Sequence, residues 1–473
     1  MNTSINPNIF RGYDIRALVG TDINEQVVNI LGKAYATFLY RRQIRHAVVG
    51  RDMRETSEGY QKIFMDALMD SGVNVIDIGL TLTQIMYFAQ YRYLTKGGAI
   101  ITASHNPKEF NGMKLAVGFS DTLVTSEIQE LKQIAESNEF KSWESNGSLL
   151  KKDVFFDYKK DLLKRIPLKN SGLKVVIDSS NATTGVFLPD ILRSVGCEVI
   201  EQNTNLDPSF PMGTPDPTEK AVLERLSKRV LLENADLGLT YDSDGDRVGF
   251  VDSEGNLIWN DVLVALFAKD ILHYLPQSPI VFNTLCSKAV SDVILSLGGK
   301  PIMEKTGHSF IKARVKEERA PFGGELSGHF FFMDNFYGHD DGAFSTLRLL
   351  QYLNRTQKSL KDALSEIPKY ISSPEIKLGL ADEIKFELID NQITQDIKML
   401  FPDAKYANID GFRADSDEEM VIIRASQNGP YITIKFEGKT QSQYDLLKQN
   451  IKAILLKYKQ IKWKEGVNIN ALE

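Results

Sequence analysis

Gly97-Gly98-Ala99-Ile100-Ile101-Thr102-Ala103-Ser104-His105-Asn106-Pro107 is an apolar run that stops abruptly in a polar turn. The Gly-Gly pair introduces a buried-strand pattern, and proline disfavours helical backbone in the residue before it, so Asn106-Pro107 blocks a smooth passage into a helix. Ser104 is therefore expected in a tight loop at a strand end. Open α/β sheets bind ligands at the carboxyl ends of their strands, which places this serine well for nucleophilic work. The plainer reading is a turn held by Ser and Asn side chains that mimic backbone.

Outward from this strand the pattern alternates. Residues 47–50 and 73–78 read as strands, and 57–70, 84–93 and 126–138 as helices. Such alternation implies a mainly parallel, covered sheet. The polar stretch 137–152 marks a first boundary, and a second unit opens at Leu173-Lys174-Val175-Val176-Ile177-Asp178, with further strands at 198–201 and 235–241. A third unit is expected from Leu257, with helices at 261–272 and 288–297 and strands at 279–282 and 301–303. After about Ser373, strands at 419–424 and 431–437 share a short loop and precede a helix at 443–458, which signals an antiparallel hairpin. The expectation is an α/β chain of four domains: three similar mixed α/β-sheet domains at 1–152, 153–256 and 257–371, and a C-terminal α+β domain at 372–473.

The 473 residues are too many for one hydrophobic core. A net charge of -6 and a pI near 5.7 leave no electrostatic footprint for nucleic acid or a membrane surface. An anionic substrate must therefore be held by a local cluster of Arg, Lys and backbone N–H groups. The cysteines, Cys197 and Cys286, lie too far apart to suggest a disulfide framework or a cysteine metal site. Residues 1–10 lack a signal peptide's apolar core and no apolar run is long enough to span a bilayer, so a reducing cytoplasm is the expected location.

Tyr241-Asp242-Ser243-Asp244-Gly245-Asp246-Arg247 again follows an apolar strand. Carboxylates at i, i+2 and i+4 repel one another in a partly buried loop unless a cation sits among them, and a hard divalent ion, Mg²⁺, resolves this. An EF-hand loop needs Gly at its sixth position and Glu at its twelfth, but Arg247 and Ser253 stand there. Arg247 beside the carboxylates suggests a second, anionic ligand. In Gly323-Gly324-Glu325-Leu326-Ser327-Gly328-His329, glycine lets backbone approach a ligand while Glu325 and Ser327 can read vicinal hydroxyls. In Arg424-Ala425-Ser426-Gln427-Asn428-Gly429-Pro430, an arginine, a hydroxyl and successive loop N–H groups make a phosphate cradle. A plain hairpin turn is the alternative for that last loop.

Together these motifs resemble the α-D-phosphohexomutase superfamily, and within it the bacterial phosphomannomutase/phosphoglucomutase enzymes. The match runs nearly end to end, from Phe10-Arg11-Gly12-Tyr13-Asp14-Ile15-Arg16 through Gly50-Arg51-Asp52, Thr102 to Pro107, Asp242 to Arg247, Thr306-Gly307-His308-Ser309 and Glu325 to His329, to Arg424–Pro430. The resemblance implies four domains around a central cleft. It implies a phosphoryl group on Ser104, and Mg²⁺ held by Asp242, Asp244, Asp246 and a phosphoserine oxygen. Arg16, His105, Lys114 and Arg247 belong by the same resemblance to the catalytic set. Tyr13, His308, Glu325, Ser327, His329, Arg424, Ser426, Gln427 and Asn428 belong to the substrate contacts, Tyr13 equally to domain packing.

The implied activity is that of an isomerase interconverting hexose 1- and 6-phosphates, of mannose, glucose or both. It runs through a hexose 1,6-bisphosphate that must turn over, because one serine faces both ends of the sugar. Glucose 1,6-bisphosphate or mannose 1,6-bisphosphate is the implied activator, hexose phosphates are the partners, and the state is a monomer with a dimer as alternative. The chain departs from the family at Leu285, where a lysine is usual, at Gln427-Asn428-Gly429, where small hydroxyl residues are commoner, and at Thr83-Gln84, which replaces Thr-Pro. Phosphoglucosamine mutases usually carry Gln in the place of Leu326, so that alternative ranks second and a metal-dependent sugar-phosphate phosphatase third. A serine hydrolase lacks its Gly-x-Ser-x-Gly elbow here, and adjacency is expected to keep His105 from deprotonating Ser104. A non-catalytic sugar-phosphate sensor has no use for a nucleophile beside three carboxylates.

Overall fold

The computed structural model describes residues 5–426 and 429–473. The chain divides into two compact units, one ending at Asn260 and resumed by Ser327–Ala363, the other formed by Asp261–Leu326 with Leu364–Glu473.

The first unit opens with strands β1 (Ile15–Leu18), β2 (His46–Arg51), β3 (Asn74–Leu80), β4 (Gly97–Ile101), β5 (Phe110–Val117) and β6 (Leu149–Lys151), ordered β1-β5-β4-β2-β3-β6. The β4, β2, β3 and β6 neighbours run parallel, as the alternation predicts, while β5 runs antiparallel to both of its neighbours, β4 and β1. Helix Glu25–Arg41, to which the sequence reading assigns no element, starts at Asn24, whose side chain accepts from the Val27 amide. Its Val28, Leu31, Tyr35 and Phe38 recur at helical spacing and bury against Phe64, Ile101 and Met113.

The second sheet contains β7 (Lys174–Asp178), β8 (Glu198–Gln202), β9 (Leu237–Tyr241), β10 (Val248–Asp252) and β11 (Leu257–Ile258), in the order β11-β10-β9-β7-β8. Leu257-Ile258, read from sequence as the opening of the third unit, instead pairs with β10 and closes this sheet. Two residues between a turn and a helix are too short to show strand periodicity.

In the second unit, β12 (Pro279–Asn283) lies between β13 (Lys300–Glu304) and β14 (Phe322–Gly324) with both pairs parallel. The chain returns to the first unit with β15 (Phe330–Phe332) and helix Gly342–Thr356. It ends in the second with β16 (Ile371–Ser372), β17 (Ile376–Gly379), β18 (Lys405–Ala407), β19 (Phe412–Asp415), β20 (Glu419–Ala425), β21 (Tyr431–Gly438) and β22 (Lys462–Val467). This last sheet, ordered β18-β19-β20-β21-β17-β22 with β16 on β21, is antiparallel throughout and backed by helix Gln441–Leu456. The fold is thus three α/β domains and a C-terminal antiparallel-sheet domain. Among the described residues no helix is long and apolar enough to cross a membrane.

Candidate active site

Ser104 stands where the apolar run predicts, in the turn after β4, 2% exposed and in left-handed backbone at φ 49°. Its amide donates to Thr102 Oγ1 at 2.9 Å and its hydroxyl donates to Asp242 Oδ2 at 2.8 Å. Asp242 follows β9 as Ser104 follows β4, so two parallel-strand ends of neighbouring sheets deliver a hydroxyl and a carboxylate to one spot. His105 Nδ1 lies 3.2 Å from Ser104 Oγ, which corrects the expectation that chain adjacency keeps the two apart. The left-handed turn at Ser104 brings the ring back. Burial and the nearby Arg247 charge hold the His105 pKa well below its ordinary value, so the ring is neutral at pH 7.

The antiparallel strands supply the cations. Arg16 pairs in register with Gly112, and Lys114 sits two residues further along the same β5 strand. Arg16 holds Asp14 Oδ2 at 2.8 Å and donates to the Ala103 carbonyl and, at 2.8 Å, to Asn106 Oδ1. Lys114, 2% exposed, bridges Asp244 Oδ2 at 2.7 Å and Asp246 Oδ2. Arg247 binds Asp242 Oδ2 at 2.9 Å and Asp216 Oδ1 at 3.3 Å. Its Nη2 is buried and, among the described residues, has no hydrogen-bond partner.

Asp242, Asp244 and Asp246 are fully buried, and one ligand atom from each lies within 4.8 Å of the others. Burial and the neighbouring carboxylates push Asp242 and Asp246 up to about 7. Burial opposes ionisation of Asp244 as well, but Lys114 and the Thr83 hydroxyl hold it below the usual carboxylate range. Asp244 Oδ1 and Asp246 Oδ1 are buried without a hydrogen-bond partner among the described residues. Orphaned hard oxygens at this spacing fit a divalent cation of the Mg²⁺ type. Gly245, at φ 77°, allows the loop to turn between the ligands.

Several contributors escape the sequence reading. Thr83 Oγ1 donates to Asp244 Oδ2 at 2.6 Å, and Gln84 Nε2 donates to the Gly245 carbonyl at 3.0 Å. The Thr83-Gln84 departure therefore reaches the acidic loop itself. His329 Nδ1 lies 3.1 Å from Asp340 Oδ2 and 3.8 Å from Asp246 Oδ1. Nothing in Asp340's sequence setting marks it beyond a place just before a helix start. Tyr13 and Ser327, also in this unit, are half-buried.

The second unit gathers the remaining candidates. Buried Glu325 Oε2 accepts from the Gly307 amide at 3.3 Å, beside buried His308. Arg424 Nε donates to Asp410 Oδ2 at 2.7 Å, and the same oxygen accepts from the Thr306 amide at 3.1 Å. Asp410, which no motif marks, thus ties the arginine at the end of β20 to the loop after β13. Ser426 leads into the hairpin loop, where buried Lys385 donates to the Ser426 and Gly429 carbonyls. Gln427 and Asn428 lie outside the described residues. Leu285 is buried with Met420 and Ile422, and Leu326 packs on that cluster. Lys288, the next lysine in sequence, pairs with Asp292 at 2.6 Å.

Comparison with known proteins adds a family. Three profiles described as "Phosphoglucomutase/phosphomannomutase, alpha/beta/alpha domain I", "domain II" and "domain III" match residues 7–142, 153–255 and 259–370. A phosphomannomutase/phosphoglucomutase of Pseudomonas syringae pv. tomato is 36% identical over 437 residues, covering 92% of this chain and 92% of the relative. A phosphoglucomutase of Neisseria gonorrhoeae is 33% identical, covering 96% of this chain and 97% of the relative. A crystal structure of a phosphoglucomutase/phosphomannomutase family protein from Burkholderia thailandensis superposes with TM-score 0.86 at 29% identity, covering 95% of this chain and 98% of that one.

Proposed function

The chain belongs to the phosphoglucomutase/phosphomannomutase family and is a hexose phosphate mutase, and from that premise we propose that Ser104 carries the phosphoryl group exchanged with the sugar. The observation that carries this reading is the 2.8 Å contact between Ser104 Oγ and Asp242 Oδ2.

In the proposed reaction a free hydroxyl of a hexose 1- or 6-phosphate attacks the phosphorus of phosphoserine 104. The new O–P bond forms as the Ser104 Oγ–P bond breaks, leaving a hexose 1,6-bisphosphate. That intermediate turns over and returns its other phosphoryl group to Ser104. His329, oriented by Asp340, takes the proton of the attacking hydroxyl. Phosphoryl transfer asks for in-line positioning and charge neutralisation, and Arg16, Lys114 and Arg247 supply fixed positive charge around Ser104. Asp242, Asp244, Asp246 and an oxygen of the phosphoserine would hold Mg²⁺, which when bound adds Lewis-acid neutralisation of the phosphoryl oxygens. His308, Glu325 and Ser327 read sugar hydroxyls, and Arg424 with Ser426 holds the phosphate that is not reacting.

Mannose and glucose phosphates are the proposed substrates, with the corresponding 1,6-bisphosphate as activator. A coupled assay with mannose 1-phosphate, glucose 1-phosphate and glucosamine 1-phosphate, each with and without bisphosphate, tests this directly. Turnover of the first two that rises with bisphosphate supports the proposal. Equal efficiency on glucosamine 1-phosphate contradicts the sugar assignment.

A further inference from the structure

One guanidinium beneath the Ser104 loop holds three of that loop's carbonyl groups and the first carbonyl of β5. Arg54 stands between β2 and helix Ser57–Asp70 and is 3% exposed. Its Nη2 donates to the carbonyls of Ser104 at 2.8 Å and Asn106 at 2.6 Å. Its Nη1 donates to those of Pro107 at 2.8 Å and Phe110 at 3.0 Å. Arginine alone presents enough donors in a rigid planar fork to hold four acceptors at once.

Asp52 fixes both ends of this arrangement. Its Oδ2 lies 3.2 Å from Arg54 Nε and accepts from Thr102 Oγ1 at 2.7 Å, the same hydroxyl that receives the Ser104 amide. Its Oδ1 accepts from the Arg54 amide at 3.0 Å and from Ser57 Oγ at 2.6 Å. The nucleophile's own N–H and C=O are therefore both tied, through Thr102 and Arg54, to one buried carboxylate. Ser104 sits in left-handed backbone, which a side chain other than glycine adopts at a cost. The same tethers hold it there, and they turn the Ser104 and Asn106 carbonyls toward Arg54.

We propose that Arg54, held by Asp52, is a positioning residue for phosphoryl transfer at Ser104. It contacts neither sugar nor phosphoryl group. By drawing the loop carbonyls onto itself it keeps those negative dipoles off the transferring group and holds the Ser104 Oγ in line. This inference rests on the reading of Ser104 as the phosphoryl carrier.

The test compares full-length Arg54→Lys, Asp52→Asn and Ser104→Ala with the native protein, using melting curves, kcat and KM for glucose 1-phosphate, and phosphoserine occupancy by intact-mass spectrometry. Lysine keeps the charge but cannot span four carbonyls. Folded Arg54→Lys is expected to lose on the order of 100-fold in kcat, the loss that a small displacement of a reacting atom produces. Its KM should stay within about threefold of native, because the lost effect belongs to the transition state alone. Native kcat in folded Arg54→Lys, or a raised KM with native kcat, overturns the inference. Should Arg54→Lys not fold, Asp52→Asn decides by the same kcat-against-KM criterion. Native turnover by Ser104→Ala defeats the underlying carrier reading, whereas inactive Ser104→Ala beside fully active Arg54→Lys defeats the positioning role alone.

Discussion

The Ser104 hydroxyl donates to Asp242 Oδ2 at 2.8 Å across 138 residues of chain, from the end of β4 in one sheet to the end of β9 in the next. No local interaction makes that contact. It exists because two α/β sheets present their carboxyl strand ends to each other, and the proposed chemistry rests on it.

Removal of divalent metal is expected to abolish turnover, and Mg²⁺ to restore it. Thr83→Val, which deletes the 2.6 Å hydrogen bond to Asp244, should weaken metal affinity by roughly 10-fold, as loss of an outer-shell partner does. Metal titrations followed by activity check both. Unchanged turnover in excess chelator contradicts a role for metal in the acidic loop.

Arg424→Ala is expected to raise KM for hexose phosphates on the order of 10- to 100-fold, the equivalent of the ~1.5–3 kcal/mol carried by a hydrogen bond to a charged group. The fall in kcat should be smaller, since in the proposed reaction this arginine holds the phosphate that does not react. Steady-state kinetics separate the two parameters. A native KM excludes Arg424 from the phosphate cradle.

Gly112 pairs with Arg16, and a Cβ placed on it would lie 1.9 Å from the Ile15 carbonyl oxygen. Gly112→Ala should therefore pry β1 from β5, cost about 2–4 kcal/mol in denaturant unfolding, and lower activity by displacing Arg16. Native stability would mean that the strand pair tolerates the methyl group.

The parts legible in the sequence are those whose chemistry is local. The Ser104 turn, the spacing of Asp242, Asp244 and Asp246, and the hairpin ending in Arg424 each announce themselves within about ten residues through period, turn formers and charge. The antiparallel partners β1 and β5 are less visible, because Phe110–Val117 mixes Asn111 and Lys114 into a buried strand and so breaks the apolar pattern. Lys114 is buried there because Asp244 and Asp246 neutralise it. Arg54, Asp340 and Asp410 are invisible for a related reason. Arg54 acts on carbonyls 50 to 56 residues away, Asp340 on His329 and Asp410 on Arg424 and Thr306, and a lone charged residue in a loop reads as solvated surface. His105 shows the opposite failure, since its distance from Ser104 depends on a left-handed φ that no composition rule specifies.

The most direct test of phosphoryl transfer from Ser104 is a single-turnover experiment. Protein labelled with ³²P on Ser104 by labelled glucose 1,6-bisphosphate is mixed with unlabelled glucose 1-phosphate, and the label is followed. The expected result is loss of ³²P from Ser104 matched by its appearance in hexose bisphosphate and then in glucose 6-phosphate. Label that stays on the protein while product forms, or leaves only as inorganic phosphate, contradicts the account.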